Sequence, residues 1–201
     1  MLRSTLTLAA SLLALAGCQS TPRLDAAQER GSNQPPRQAA ARDSQLARFR
    51  AGLPAVDRLS GGAASREELA SRLLQAVTAR DTTTLRRLVL TKAEFAWLYY
   101  PTAREALPPY DLDPELMWFA HEGRSEIGIR AALEVLGGRG DTYIGLDCPV
   151  PSRQEGRNSL WGFCRIRHRS PAGTESTDQL FGLIIERDGI HKLVSYANKL
   201  D

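Results

Sequence analysis

The sequence predicts an α+β domain in which N-terminal helices pack on a curved, cone-like antiparallel sheet of about four strands. Apolar residues recur at helical spacing from residue 65 to residue 136, whereas apolar and polar residues alternate from residue 142 onward. Gly137 and Gly138 separate the two patterns, and Asp188-Gly189 is the two-residue signal of a tight hairpin. Helices followed by antiparallel strands are typical of the α+β class.

Three sequence signals mark the starts of helices. Ser65 and Thr91 are each followed by a glutamate three residues later, which is the pattern of a capping box. Asp113 precedes a proline, so it supplies an N-cap ahead of a residue that suits the first helical position. The predicted helical ranges are 65–80, 85–90, 91–99 and 113–136.

The strands are predicted from alternation and from the hairpin signal. Around Asp188-Gly189, a two-residue turn places Ile184 opposite Leu193 and Glu186 opposite His191. The predicted strand ranges are 142–148, 158–169, 177–187 and 190–199.

The first eighteen residues form a short leader that ends in a cysteine. A run of twelve mostly apolar residues follows Arg3. Such a run gives a helix of roughly 18 Å, too short for a hydrocarbon core of about 30 Å, so cleavage is expected. Leu15-Ala16-Gly17-Cys18 resembles the lipobox of bacterial lipoproteins. The alternative is an ordinary signal peptide with an incidental cysteine.

The lipobox resemblance implies a location for the protein. Residues 1–17 would be a signal peptide, and Cys18 would be acylated and become the first residue of the mature chain, which would anchor the protein to a membrane. In the resembled lipoproteins of Gram-negative bacteria, an aspartate after the cysteine marks retention at the inner membrane. Gln19 stands there in this chain, which implies the outer membrane, with the domain facing the periplasm.

The charge of the chain is concentrated outside the predicted domain. Residues 19–63 carry seven arginines and four acidic residues, whereas residues 64–201 carry 18 Lys or Arg and 19 Asp or Glu, a net charge of −1. A nucleic-acid partner requires a concentrated cationic surface. The nearly neutral domain therefore argues against nucleic-acid binding.

Residues 18–63 are predicted to form a lipidated N-terminus and a flexible stalk, ahead of a domain at 64–201. Gln, Ser, Pro, Ala, Gly and Arg dominate the stalk, and few large apolar residues are available to bury. Leu46, Phe49 and Leu53 at helical spacing indicate one short amphipathic helix. This helix is expected either to be transient and solvated, to lie on the membrane surface, or to dock on the domain.

Cys148 and Cys164 are predicted to form a disulfide bond. If Cys18 is lipidated, they remain as an even pair in an oxidising compartment. Gly156 lies midway between them in a polar run, so a turn there would bring the two cysteines opposite each other. Two buried free thiols are the alternative.

The order of elements and the final Asp-Gly-X-X-Lys-Leu-Val hairpin, residues 188–194, resemble the nuclear-transport-factor-2-like superfamily with its cystatin-like α+β fold. The resemblance covers roughly residues 64–201. It implies a bent sheet wrapped around a helix, often with an apolar pocket, and members include enzymes, binding modules and dimerisation domains. The fold alone therefore assigns no function.

The aromatic segment, residues 95–119, is the main candidate for a functional site. It contains seven of the 13 aromatic residues of the chain. Large aromatic rings and tyrosine hydroxyls line ligand pockets and anchor interfaces, although an ordinary core is the alternative. The candidate pocket or interface residues are Trp97, Tyr99, Tyr100, Tyr110, Trp118 and His121.

No motif indicates a metal or a cofactor. His121-Glu122 begins like a zinc-protease helix, but Ser125 stands where the second histidine is needed. We therefore expect a non-enzymatic domain that binds an envelope protein or an apolar small molecule. The alternative is an isomerase or cyclase in which His121 converges with Glu94, Tyr100 and Asp147.

Overall fold

Five α-helices and seven β-strands in two antiparallel sheets make up the described part of the chain. A computed structural model describes residues 36–198 and residue 200, with side chains described from residue 39. The predicted signal peptide, Cys18 and the first part of the predicted stalk lie outside these residues. The helix and sheet content confirms the α+β class.

The helices precede all of the strands in the chain. Asp81, Thr91 and Asp113 accept hydrogen bonds from the first backbone amides of three helices, and Ser65 does the same for a fourth. The helices are α1, Pro36–Arg50; α2, Arg66–Thr78; α3, Thr82–Leu88; α4, Lys92–Glu94; and α5, Pro114–Leu136.

The aromatic segment departs from the predicted helix at 91–99. The capping box at Thr91 forms as predicted, but α4 is followed by a π-helical turn, Phe95–Tyr99, and by two short 3-10 turns, Tyr100–Thr102 and Arg104–Ala106. A π-helical turn is wider than an α-helical turn and a 3-10 turn is tighter, so this succession changes the directions in which neighbouring side chains point. Tyr99 and Tyr100 are both buried as a result.

Helix α1 lies ahead of the predicted domain start at residue 64 and packs on the aromatic segment. Phe49 is buried, with its ring 5.8 Å from that of Phe95. The Arg50 guanidinium donates two hydrogen bonds to the carbonyl oxygen of Ala96, at 3.0 and 3.1 Å, and lies 4.0 Å from the centre of the Trp97 ring. The described part of the predicted stalk therefore packs against the domain, because the apolar face of α1 contacts the aromatic segment.

The seven strands form two sheets rather than one sheet of about four strands. The first sheet has the order β1-β4-β5 and the second has the order β2-β3-β6-β7, with every neighbouring pair antiparallel. The strands are β1, Thr142–Asp147; β2, Arg153–Glu155; β3, Asn158–Gly162; β4, Arg165–Arg169; β5, Glu175–Asp178; β6, Leu183–Arg187; and β7, Ile190–Leu193.

Two of the predicted strands are each divided between the sheets. The predicted strand 158–169 breaks after Gly162, where Phe163 adopts a φ of +58° and the chain passes from the second sheet to the first. A left-handed conformation cannot continue a strand. The predicted strand 177–187 is likewise divided into β5 in the first sheet and β6 in the second, and β2 was not predicted, so the structure has seven strands where four were predicted.

The predicted disulfide and hairpin are both confirmed. Cys148 and Cys164 are bonded, with sulfur atoms 2.07 Å and Cα atoms 4.2 Å apart. Between them, Gly156 forms the turn that joins β2 and β3, with a φ of +62°. In the last hairpin, Ile184 pairs with Leu193 and Glu186 with His191, as the Asp-Gly signal predicts.

Gly128 lets α5 approach the chain after β7 very closely. A Cβ atom at this position would overlap the backbone carbonyl of Tyr196. The Asn198 side chain donates a hydrogen bond to the Gly128 carbonyl at 2.7 Å, and the Ser125 hydroxyl accepts one from the Tyr196 amide at 3.1 Å. Residue 128 therefore sets the distance between α5 and this segment. Across the described residues, no helix has an apolar stretch long enough for a membrane span.

A buried ion pair joins α4 to β7. The Lys192 ammonium donates to Oε2 of Glu94 at 2.7 Å, and both side chains are at most 2 % exposed. The same carboxylate accepts hydrogen bonds from the backbone amides of Ser60 and Thr91, at 2.7 and 2.8 Å. One side chain therefore connects three segments that are distant in sequence.

We expect Lys192→Met to destabilise the protein strongly. The substitution leaves the buried Glu94 carboxylate without its cation, which costs about 3–5 kcal/mol. Lys92→Met is the matched control, because Lys92 is half-buried and lies 4.9 Å from the centre of the Phe49 ring. That contact contributes about 1 kcal/mol or less. Urea unfolding of both variants gives the comparison, and equal losses of stability would contradict the role assigned to Lys192.

Candidate functional site

The structure divides the predicted aromatic site into a buried part and an exposed part. Tyr99 and Tyr100 are each 1 % exposed, and the Tyr100 hydroxyl donates to the Leu112 carbonyl at 2.7 Å. Trp97 is half-buried beneath Arg50. Tyr110 is 51 % exposed and lies beside Arg104, whose guanidinium is 5.6 Å from the centre of its ring. These four side chains do not line one common pocket.

Trp118 and His121, the remaining two candidates, line an open groove of about 610 Å³. One wall of the groove is α3 with the chain that leads into α4, and the other is α5. The end of the last hairpin, at Val194 and Tyr196, closes the groove. The apolar lining residues are Leu85, Val89, Leu90, Trp118, Ile129, Leu133, Val194 and Tyr196.

The charged residues of the groove carry a small positive excess. Arg86, Lys92 and Arg130 line it together with only two acidic residues, Glu122 and Glu126. Long cationic side chains at the edge of an apolar surface pack their methylene groups on it and keep their charged ends in water. The groove therefore combines an apolar interior with a weakly cationic edge.

His121 is held among aromatic rings and is uncharged at neutral pH. Its ring lies 5.7 Å from that of Phe95 and 6.0 Å from that of Tyr99. Burial, together with the nearby Arg124 guanidinium, lowers the pKa of His121 to about 4, against the opposing effect of Glu105. Its Nδ1 atom is buried and has no hydrogen-bond partner.

A second, smaller cavity of about 280 Å³ lies on the other side of His121. His121 and Val194 line both cavities. Glu105, a residue of the 3-10 turn Arg104–Ala106, also lines the smaller one, and its Oε2 atom is buried without a hydrogen-bond partner. The sequence analysis did not identify Glu105, because nothing in its immediate sequence distinguishes it from a surface glutamate.

The four residues of the proposed acid-base set do not converge. Glu94 is committed to Lys192, and the Tyr100 hydroxyl is committed to a backbone carbonyl. Asp147 is exposed at the end of β1, where it pairs in register with Arg165. Two of these groups are hydrogen-bonded elsewhere and Asp147 lies in a strand of the first sheet, and none of the three is hydrogen-bonded to the His121 ring.

A buried charged cluster that the sequence analysis missed lies in the first sheet. The His168 ring contacts Asp141 through Nδ1 and Asp178 through Nε2, both at 2.8 Å. Arg139 adds a further contact to Asp141 at 3.2 Å. A histidine on the same strand face as the buried Ile166 was the signal that could have revealed it.

Comparisons with known proteins identify no relative. No family model matches the chain, and searches of curated proteins and of solved structures also gave no match. Within residues 39–198 and at residue 200, no group of three or more His, Cys, Asp or Glu side chains is arranged to hold a metal ion.

The lowered pKa of His121 predicts a pH-dependent loss of stability. Between pH 4 and about 6.5, the ordinary pKa of histidine, the unfolded chain binds a proton that the folded chain does not. The free energy of unfolding should therefore fall as the pH decreases from about 6.5 to about 4, and His121→Phe should fall less steeply. Urea unfolding at pH 7 and at pH 5 measures the difference. A His121 ring that titrates near pH 6.5 in NMR spectra would contradict it.

Proposed function

We propose that the chain is a lipid-anchored protein of the bacterial outer membrane whose α+β domain binds an elongated apolar small molecule in the groove between α3 and α5. The observation that carries this proposal is the groove itself, which is open, about 610 Å³ in volume and lined mainly by aliphatic and aromatic side chains. Ligand sites typically measure about 300–1,000 Å³ and are mostly apolar with a few polar groups.

The charges at the groove favour a ligand with an anionic end. The positive excess there comes from two arginines and one lysine against two glutamates. A molecule with an acyl chain and an acidic headgroup would place the chain on the apolar surface and the headgroup near the cations. A membrane-anchored domain lies close to a source of such amphiphiles.

The anchor is supported by the leader sequence. Leu15-Ala16-Gly17-Cys18 ends an apolar run of signal-peptide length, and Gln19 follows the cysteine. The disulfide between Cys148 and Cys164 is compatible with an oxidising compartment such as the periplasm. A weak resemblance to the nuclear-transport-factor-2-like superfamily, whose members often have apolar pockets, is consistent with the same proposal.

The enzyme alternative has less support from the geometry. An isomerase or cyclase needs a base or acid within hydrogen-bond reach of its substrate, oriented by a partner. The ring of His121 has no such partner on Nδ1, and Glu94 is neutralised by Lys192. Binding rather than catalysis is therefore the function that we propose.

A protein partner is a second candidate, favoured by the outer surface of α5. Leu116, Phe119 and Ile127 are 59, 72 and 67 % exposed there. Several exposed large apolar side chains on one helix are a feature of interaction surfaces. This surface is distinct from the groove, because Phe119 and Ile127 do not line it.

Groove binding can be tested with dansyl-undecanoic acid, a fluorescent fatty acid. We expect Ile129→Glu to weaken binding by at least about tenfold, because it places a charge on the apolar surface and repels the headgroup. Ile127→Glu is the matched control, since it adds the same charge to the same helix but outside the groove.

Equal binding by the two variants would show that the fatty acid binds outside the groove. The absence of any saturable fluorescence change with the unsubstituted protein would refute the small-molecule proposal. Crosslinking in the envelope that is lost only in Ile127→Glu would favour the protein partner instead.

The anchor predicts that Cys18→Ser releases the protein from membranes. Without the thiol, acyl chains cannot be attached and the stabilisation of about 0.8 kcal/mol per buried methylene is lost. Fractionation of cells that express the unsubstituted chain and the serine variant, followed by mass spectrometry of the mature N-terminus, measures the effect. Quantitative pelleting of Cys18→Ser would place the anchor elsewhere.

A further inference from the structure

Two residues that line the smaller cavity each carry a buried polar atom without a hydrogen-bond partner. These are Oε2 of Glu105 and Nδ1 of His121, neither of which has a hydrogen-bond partner. A buried acceptor without a partner costs about 1–3 kcal/mol. Both residues line the same cavity of about 280 Å³. A molecule that donates hydrogen bonds would remove both penalties.

The charges near Glu105 favour a cationic donor. The Glu105 carboxylate is close enough to Glu155 and Tyr99 to raise the pKa of each, although burial contributes more to both shifts. Glu155 already binds Arg153, with Nε and Oε1 2.8 Å apart. Arg153 is therefore committed to Glu155, and within the described residues the Glu105 carboxylate forms no ion pair. The neutral imidazole of His121 has one acceptor nitrogen, which can accept a hydrogen bond from the same cationic group.

Arg124 supplies the opposite charge at the same cavity. It is exposed on α5 and, within the described residues, forms no hydrogen bond or ion pair. A guanidinium binds a carboxylate through two parallel hydrogen bonds. The cavity thus has an acceptor end at Glu105 and His121 and a donor at Arg124, so it suits a ligand that carries both charges.

Most of the remaining lining residues are apolar. They are Leu112, Leu116, Met117, Ala120, Leu183, Val194 and Ala197, and Tyr99, Gly182 and Ser195 complete the lining. The volume lies just below the usual range for drug-sized ligands, which is about 300–1,000 Å³. The ligand is therefore small, with an aliphatic part that fits this surface.

We propose that the smaller cavity binds a free α-amino acid with an apolar side chain. Its ammonium group donates to Glu105 and His121, its carboxylate pairs with Arg124, and its side chain packs against the leucines and Met117. This inference does not depend on the proposed function, because it concerns a different cavity and a ligand of different chemistry.

Isothermal titration calorimetry on the full-length protein, purified in detergent, tests the inference with three probes that share one side chain. L-leucine has both charged groups, isopentylamine has only the ammonium, and 4-methylpentanoate has only the carboxylate. We expect saturable 1:1 binding of L-leucine and at least about tenfold weaker binding of the other two, because each lacks one charge-assisted interaction.

Two variants and two matched controls locate the site. Glu105→Gln and Arg124→Gln should each weaken L-leucine binding by at least about tenfold. Glu134→Gln and Arg87→Gln change the same residue types at exposed positions that line neither cavity, and should leave L-leucine binding unchanged. If Glu105→Gln does not fold, His121→Phe replaces it, with the same expected loss.

Three results would overturn the inference. They are no saturable heat with L-leucine at millimolar concentration, equal binding of all three probes, and binding that the Glu105 and Arg124 variants leave unchanged. The first result would mean that water alone satisfies the two buried atoms.

Discussion

The Glu94 carboxylate is the interaction on which the arrangement of the domain depends. It caps its own helix through Thr91, accepts the amide of Ser60 and binds the ammonium of Lys192. Burial lowers the pKa of Lys192, while the Glu94 carboxylate opposes this shift. A buried charge is tolerated only when its partners are fixed, so α4, β7 and the segment before α2 have little freedom to move independently.

Both cavities follow from this arrangement. The chain between α3 and α4 forms one wall of the larger groove, and Val194, directly after β7, lines both cavities. The Glu94–Lys192 ion pair joins α4 to β7, and the chain next to each of these elements forms a cavity wall. Helix α5 forms the remaining wall of the groove and contributes His121, which lines both cavities.

The sequence predicted local structure better than it predicted how distant residues meet. Capping at Thr91 and Asp113, the Asp188-Gly189 register and the Cys148–Cys164 bond were all predicted, because each depends on neighbouring residues or on a simple pairing. The change of sheet at Phe163 was not predicted, since alternation continues through it. Trp118 and His121, two of the six predicted site residues, line one groove. Glu105 and the partners of His168 were missed because only the tertiary fold brings each of them to its neighbours.

Gly128 lines neither cavity, but its lack of a side chain allows the close approach of α5 to Tyr196, and α5 borders both cavities. Because the backbone at Tyr196 occupies the space where a Cβ would lie, even an alanine at position 128 would push α5 outward along its length. The larger groove and the smaller cavity would then widen together. A substitution at this one position, which lines neither cavity, would thus alter both of them.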